Sequence, residues 1–120
     1  MKRLVAGLIG ATIAGTLAGA APAVASPNAL SVNALFLSAQ CQGGDFANVK
    51  LAAQSSGGSG TVRYRWDFTN NGSFDTAPST NPATSHLYVD EATFTAKVGA
   101  RDSSGALATD TITFSTPRCP

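Results

Sequence analysis

Val62-Arg63-Tyr64-Arg65-Trp66-Asp67-Phe68 is the stretch that decides the fold. Val62, Tyr64, Trp66 and Phe68 share one parity, and Arg63, Arg65 and Asp67 share the other. Side chains of a β-strand point alternately to its two faces, so this pattern predicts a strand with an apolar face inward and its charges in water. Residues 92–101 repeat it: Ala92, Phe94, Ala96, Val98 and Ala100 alternate with Thr93, Thr95, Lys97, Gly99 and Arg101. No helical period fits either segment. Upstream, Ala47, Val49, Leu51 and Ala53 alternate with Asn48, Lys50, Ala52 and Gln54. Downstream, Ala108, Asp110, Ile112 and Phe114 share a parity, which sets Asp110 where that face begins to meet solvent. Leu107 has the opposite parity, predicting a bulge or a strand start near Ala108. Residues 30–39 are apolar on both parities, which leaves their facing open, and residues 86–89 form a short further strand. Turn residues separate the runs at 55–60, 70–72, 78–82 and 103–105. About seven short strands at this spacing describe an all-β sandwich.

The N-terminus reads as an export signal. Lys2 and Arg3 precede an uncharged run over residues 4–21, which ends in Ala23-Val24-Ala25, a small-x-small cleavage pattern. A retained membrane anchor is the competing reading, since a span needs about 20 apolar residues; the wealth of Gly and Ala and the placement of the cleavage site favour removal. The expectation is a signal peptide over residues 1–25 and a single domain over 26–120, secreted to the extracellular space, the periplasm or the cell surface. Cleavage leaves six basic residues against seven acids, a net charge of −1. Such a chain lacks the clustered cations that nucleic acid binding needs, and lacks a polybasic segment for anionic membranes. Two cysteines, Cys41 and Cys119, remain. An even count in an exported chain reads as a disulfide, and two Cys with one His are too few for a structural zinc site.

Two stretches resemble the polycystic-kidney-disease (PKD) domain family. Tyr64-Arg65-Trp66-Asp67-Phe68 and the following Asn/Gly-rich turn are similar to that family's Y-x-W-D-F-G-D-G signature. Asn81-Pro82, His86-Leu87-Tyr88, Thr93-Phe94-Thr95-Ala96-Lys97-Val98 and Asp102-Ser103-Ser104-Gly105 are similar to its N-P-x-H-x-Y, T-Y-T-V-x-L-x-V and D-x-x-G elements. The likeness spans roughly residues 46–116, and the order of the pieces makes it specific. The chain departs from the family in its longer turn over residues 69–75, in Ala92 for a common Gly and in Phe94 for a Tyr. The resemblance implies an immunoglobulin-like β-sandwich in which Tyr64, Trp66, Phe68, His86 and Tyr88 are structural. It also implies a first strand parallel to the last, which brings Cys41 and Cys119 to one pole as a terminal staple.

The candidate sites each have a plainer reading. Trp66 is a carbohydrate-stacking platform or, by its parity, a core residue. Asp67, Asn71 and Asp75 have the look of a degenerate calcium loop, and some members of the family bind calcium near this region. Against that, the positions between them are poor in charge, and Asn71-Gly72 suits a tight turn that needs positive φ. His86 is the single histidine and has no nucleophile and acid converging on it, as catalysis requires. Asp90-Glu91 reads as a solvated turn. Asn71-Gly72-Ser73 matches a glycosylation sequon, which acts only in a eukaryotic secretory pathway. Arg63 and Arg65, with Thr69 beyond, form the candidate contact face. The resulting expectation is a non-catalytic interaction module for an extracellular protein or polysaccharide, with no cofactor unless calcium binds. Two alternatives remain: a β-rich protease inhibitor presenting residues 76–84, and a calcium-dependent structural module.

Overall fold

Alternating sequence becomes six strands in the computed structural model, which describes residues 29–120. They are β1 (Ser31–Gly43), β2 (Phe46–Ser56), β3 (Arg63–Asp67), β4 (Ala83–Val89), β5 (Thr93–Arg101) and β6 (Leu107–Ser115). The signal peptide expected over residues 1–25 lies outside the described residues. One sheet has the order β1-β2-β4 and the other β3-β5-β6, with every neighbouring pair antiparallel. The count is six strands where about seven were expected. Between β3 and β4 the chain makes only an isolated antiparallel bridge, Tyr64 to Ser79. Pro78 and Pro82 flank that bridge, and proline cannot donate to a ladder.

The sheets close on one apolar core. Val32, Ala34, Val49, Leu51 and Ala53 enter it from one side, and Tyr64, Trp66, Ala96, Val98, Ala100 and Phe114 from the other. Tyr88 anchors an aromatic cluster, with its ring 4.6 Å from Phe94 and 5.1 Å from Phe114. Edge-to-face and tilted contacts at these separations add to the burial itself.

The double parity of residues 30–39 has a cause in the backbone. Leu37 is an extra residue in β1, since Phe36 pairs with Leu51 and Ser38 with Lys50. A bulge of this kind shifts the parity, so Val32 and Ala34 before it and Ala39 after it face the core, while Leu35 and Leu37 stay exposed. Leu107 marks the start of β6 and no bulge, because β5 and β6 pair without a register shift from Arg101–Leu107 to Thr93–Ser115. Asp110 does not simply meet solvent: its carboxylate accepts the Ala34 N–H of β1 at 2.7 Å. That bond satisfies a donor on the free edge of one sheet from the edge strand of the other.

β1 and β6 run alongside each other in the same direction. Ala34 faces Asp110, Phe36 stacks on Phe114 at 5.5 Å, and Cys41 is joined to Cys119 by a disulfide with a Cα–Cα distance of 5.5 Å. β1 takes its ladder from β2 and meets β6 through side chains, yet the C-terminal ends still converge at one pole. Asp90 and Glu91 build that pole and are not merely a solvated turn. The Asp90 carboxylate accepts the Cys119 N–H at 2.9 Å, and Glu91 pairs with Arg118 at 3.8 Å.

Candidate functional site

β3 carries two sites that the sequence placed close together, and they have different characters. At its C-terminal end Asp67 is on the outward parity, but it is not in water. It is 1% exposed, covered by its own turn. Its carboxylate accepts the N–H of Asn71 at 3.1 Å and of Gly72 at 2.9 Å. Asn70 and Gly72 take the positive φ that lets the chain fold back over it. Asp75 stitches the far side of the turn to β3. Its N–H donates to the Trp66 carbonyl at 2.7 Å, and its carboxylate accepts the Phe68 N–H at 2.8 Å. Asn71 Oδ1 accepts the Ser73 N–H at 3.0 Å. Calcium takes about 6–8 oxygens converging on one point. Here all three candidate ligands turn their oxygens onto backbone N–H groups, and this donor set does not fit a calcium cage.

The second site lies on the outer face of the β3-β5-β6 sheet. Arg63 stands directly across from Arg101, and Arg65 across from Gly99. The Phe74 ring, brought in by the turn, lies over Gly99; a Cβ there would come within 2.7 Å of it. The Arg65 guanidinium sits over the same ring, 4.3 Å from its centre. These residues, with Pro78 and Leu107, line a groove of about 420 Å³, within the range of small-ligand clefts. Leu107 is 68% exposed. Thr69, beyond the end of β3, belongs to the turn and not to this face.

The family model of the PKD domain matches residues 30–114 of the chain. The chain belongs to the PKD family. Among solved structures, it is similar to the PKD1 domain of Vibrio anguillarum Epp, with a TM-score of 0.57 and 22% identity over 78% of this chain and all of that one. No match was found among curated proteins. At that identity the likeness speaks for the fold. The PKD domain is a non-catalytic, immunoglobulin-like module type, and no helix among the described residues is long and apolar enough to cross a membrane.

In this PKD domain the signature residues stand around the core. Trp66 is 2% exposed, so its face is closed to a sugar, and its indole N–H finds no acceptor among the described residues. The Tyr88 hydroxyl donates to the Phe68 carbonyl at 2.7 Å, tying β4 to the end of β3. Burial, with the Asp75 and Asp67 charges added, holds that hydroxyl protonated far above its ordinary range. His86 stacks on Phe68 at 4.2 Å and meets the Tyr88 ring edge-on at 4.8 Å.

Burial lowers the His86 pKa below 6.5, a shift partly offset by the Asp75 charge. The fold therefore favours the neutral ring. Between the folded value and 6.5 the unfolded chain binds more protons, so this stability is complete above 6.5 and is lost as the pH falls through that window. Melting temperatures measured from about pH 7.5 down to about pH 5, where His is the side chain that ordinarily titrates, are expected to decline in the native protein and to stay level in His86→Gln. Equal declines in both would assign the effect to another group.

Proposed function

We propose that this PKD domain is a secreted, non-catalytic interaction module that holds an extracellular protein or polysaccharide in the groove on the outer face of β3-β5-β6. The observation that carries the reading is that groove: a concavity on a sheet face, floored by Phe74 and edged by Arg63, Arg65 and Arg101. A solvated sheet face has no need of an aromatic ring whose tip is set against a glycine in its middle strand. Export is supported by the leader-like start of the chain and by the Cys41–Cys119 bridge, which suits an oxidising compartment. The inhibitor reading would use residues 76–84, most of which are exposed. Ser79, at the centre of residues 76–84, exchanges two backbone hydrogen bonds with Tyr64, at 2.7 and 3.0 Å, so that segment is tied along the edge of β3.

The test is co-sedimentation of the purified, oxidised protein with a panel of insoluble polysaccharides and collagen, in calcium and in chelator. Saturable retention on at least one polymer is expected, equal in both conditions. It should be abolished in Arg63→Glu/Arg65→Glu at unchanged melting temperature. Retention that survives the double charge reversal would move the contact to another face.

A further inference from the structure

Four of the six basic residues beyond position 28 share one face: Arg63 and Arg65 on β3, Lys97 and Arg101 on β5. Arg63 and Arg101 are direct cross-strand partners. Like charges placed opposite each other destabilise a sheet, and sheet geometry sets such a pair only about 5 Å apart at the Cα atoms. Among the described residues no acid relieves them, since the one ion pair joins Arg118 to Glu91 at the disulfide pole. Asp102 borders the groove, but its carboxylate is already taken. The Ser104 hydroxyl reaches it at 2.7 Å, and the N–H groups of Ser59, Ser104 and Ala106 reach it at 2.9, 2.9 and 3.0 Å. This face thus concentrates cationic charge in a domain whose remaining side chains are net acidic, two basic residues against seven acids.

The kind of donor narrows the occupant. A guanidinium presents a planar fork that matches a carboxylate bidentately. The Arg65 guanidinium is held over the Phe74 ring, 4.3 Å from its centre, on the exposed face of the sheet. The backbone offers nothing here, because β5, the middle strand, is hydrogen-bonded on both sides. An extended peptide would bring an N–H donor with each residue, and such donors must be satisfied. The groove answers chiefly with cationic donors, and its acceptors are confined to the hydroxyls of Ser103 and Thr109 beside the occupied Asp102 carboxylate. Carboxylates and ring oxygens, which only accept, suit it better.

We propose that the groove binds an acidic polysaccharide built of uronate units. The carboxylates sit in the forks of Arg63, Arg65 and Arg101, and the sugar rings lie against Phe74, Pro78 and Leu107. This rests on the interaction reading above and names the ligand class for it.

The experiment measures affinity of the oxidised protein for polygalacturonate, for the same polymer fully methyl-esterified, and for polyglutamate. Saturable binding of polygalacturonate is expected, lost on esterification and stronger than binding of polyglutamate. Each of Arg63→Gln, Arg65→Gln and Arg101→Gln is expected to weaken it about tenfold, as for loss of one charge-assisted hydrogen-bonding group. Gly99→Ala, which displaces the Phe74 ring, is expected to weaken it while the melting temperature holds. Equal or tighter binding of polyglutamate would overturn the proposal in favour of an acidic protein, and binding that survives esterification would remove the carboxylate. No binding of polygalacturonate, with Arg-dependent retention on another polymer, sinks this proposal and leaves the interaction reading intact. Retention on nothing removes both.

Discussion

Opening the Cys41–Cys119 bridge is expected to lower the stability of this domain by on the order of 4 kcal/mol. The cysteines are 78 residues apart in sequence, so the link closes nearly the whole domain into one loop. Most of its effect falls on the unfolded chain, whose freedom it restricts. Small domains have only about 5–15 kcal/mol in hand, so the change is a large share of the total. The folded state also depends on the link. Beyond β6 the last residues form no strand, and they are held by Cys119 N–H to Asp90, Glu91 N–H to the Pro117 carbonyl, and the bridge itself. Urea unfolding of the oxidised protein and of Cys41→Ala/Cys119→Ala measures the effect directly. A clearly lower midpoint is expected in the double variant. Midpoints that coincide would show that the backbone contacts at that pole hold the chain ends without the bridge.

What could be read before the structure follows a physical division. Strand parity is local, and it placed Tyr64, Trp66, Val98 and Phe114 inside and Arg63, Arg65 and Arg101 outside. Features that depend on a neighbouring strand were not legible. The register that sets Arg63 across from Arg101 is a property of the ladder, and either arginine alone looks like an ordinary solvated residue. Asp67 misled for the same kind of reason. Its parity points outward, and only the fold-back through Asn70 and Gly72 covers it. Phe74 left a faint signal, as the lone aromatic in a polar turn, and Gly99 left another, as the gap in the outward row of β5. Neither means much until the turn lays one on the other. The bulge at Leu37 accounts for part of an ambiguous pattern: Val32 and Ala34 before it and Ala39 after it reach the core on opposite parities, while Leu35 and Leu37 are left exposed.

Trp66→Ala is the substitution expected to cost the most within the core, about 3–5 kcal/mol. The indole is 2% exposed and lies in the core cluster with Leu51, Val98 and Phe68. Truncation removes its transfer free energy and leaves a void that a sandwich closed on both sides cannot collapse around. In a domain of this size each kcal/mol moves the melting temperature by about 4–8 °C, so the variant is expected to be largely unfolded at body temperature. Trp66→Phe separates packing from polarity. It gives up part of the ring volume, but it also removes an indole N–H that has no acceptor among the described residues, and an unsatisfied buried donor itself costs about 1–3 kcal/mol. The phenylalanine variant is therefore expected to lose well under half of what alanine loses. Its affinity for the groove ligand should match that of the native protein, because Trp66 faces inward while Arg63, Arg65 and Phe74 face out. A phenylalanine variant that stays folded yet fails to bind would show that the indole is reached by ligand after all, and would reinstate Trp66 as a stacking platform. Thermal melts and affinity measured on the same two variants decide it.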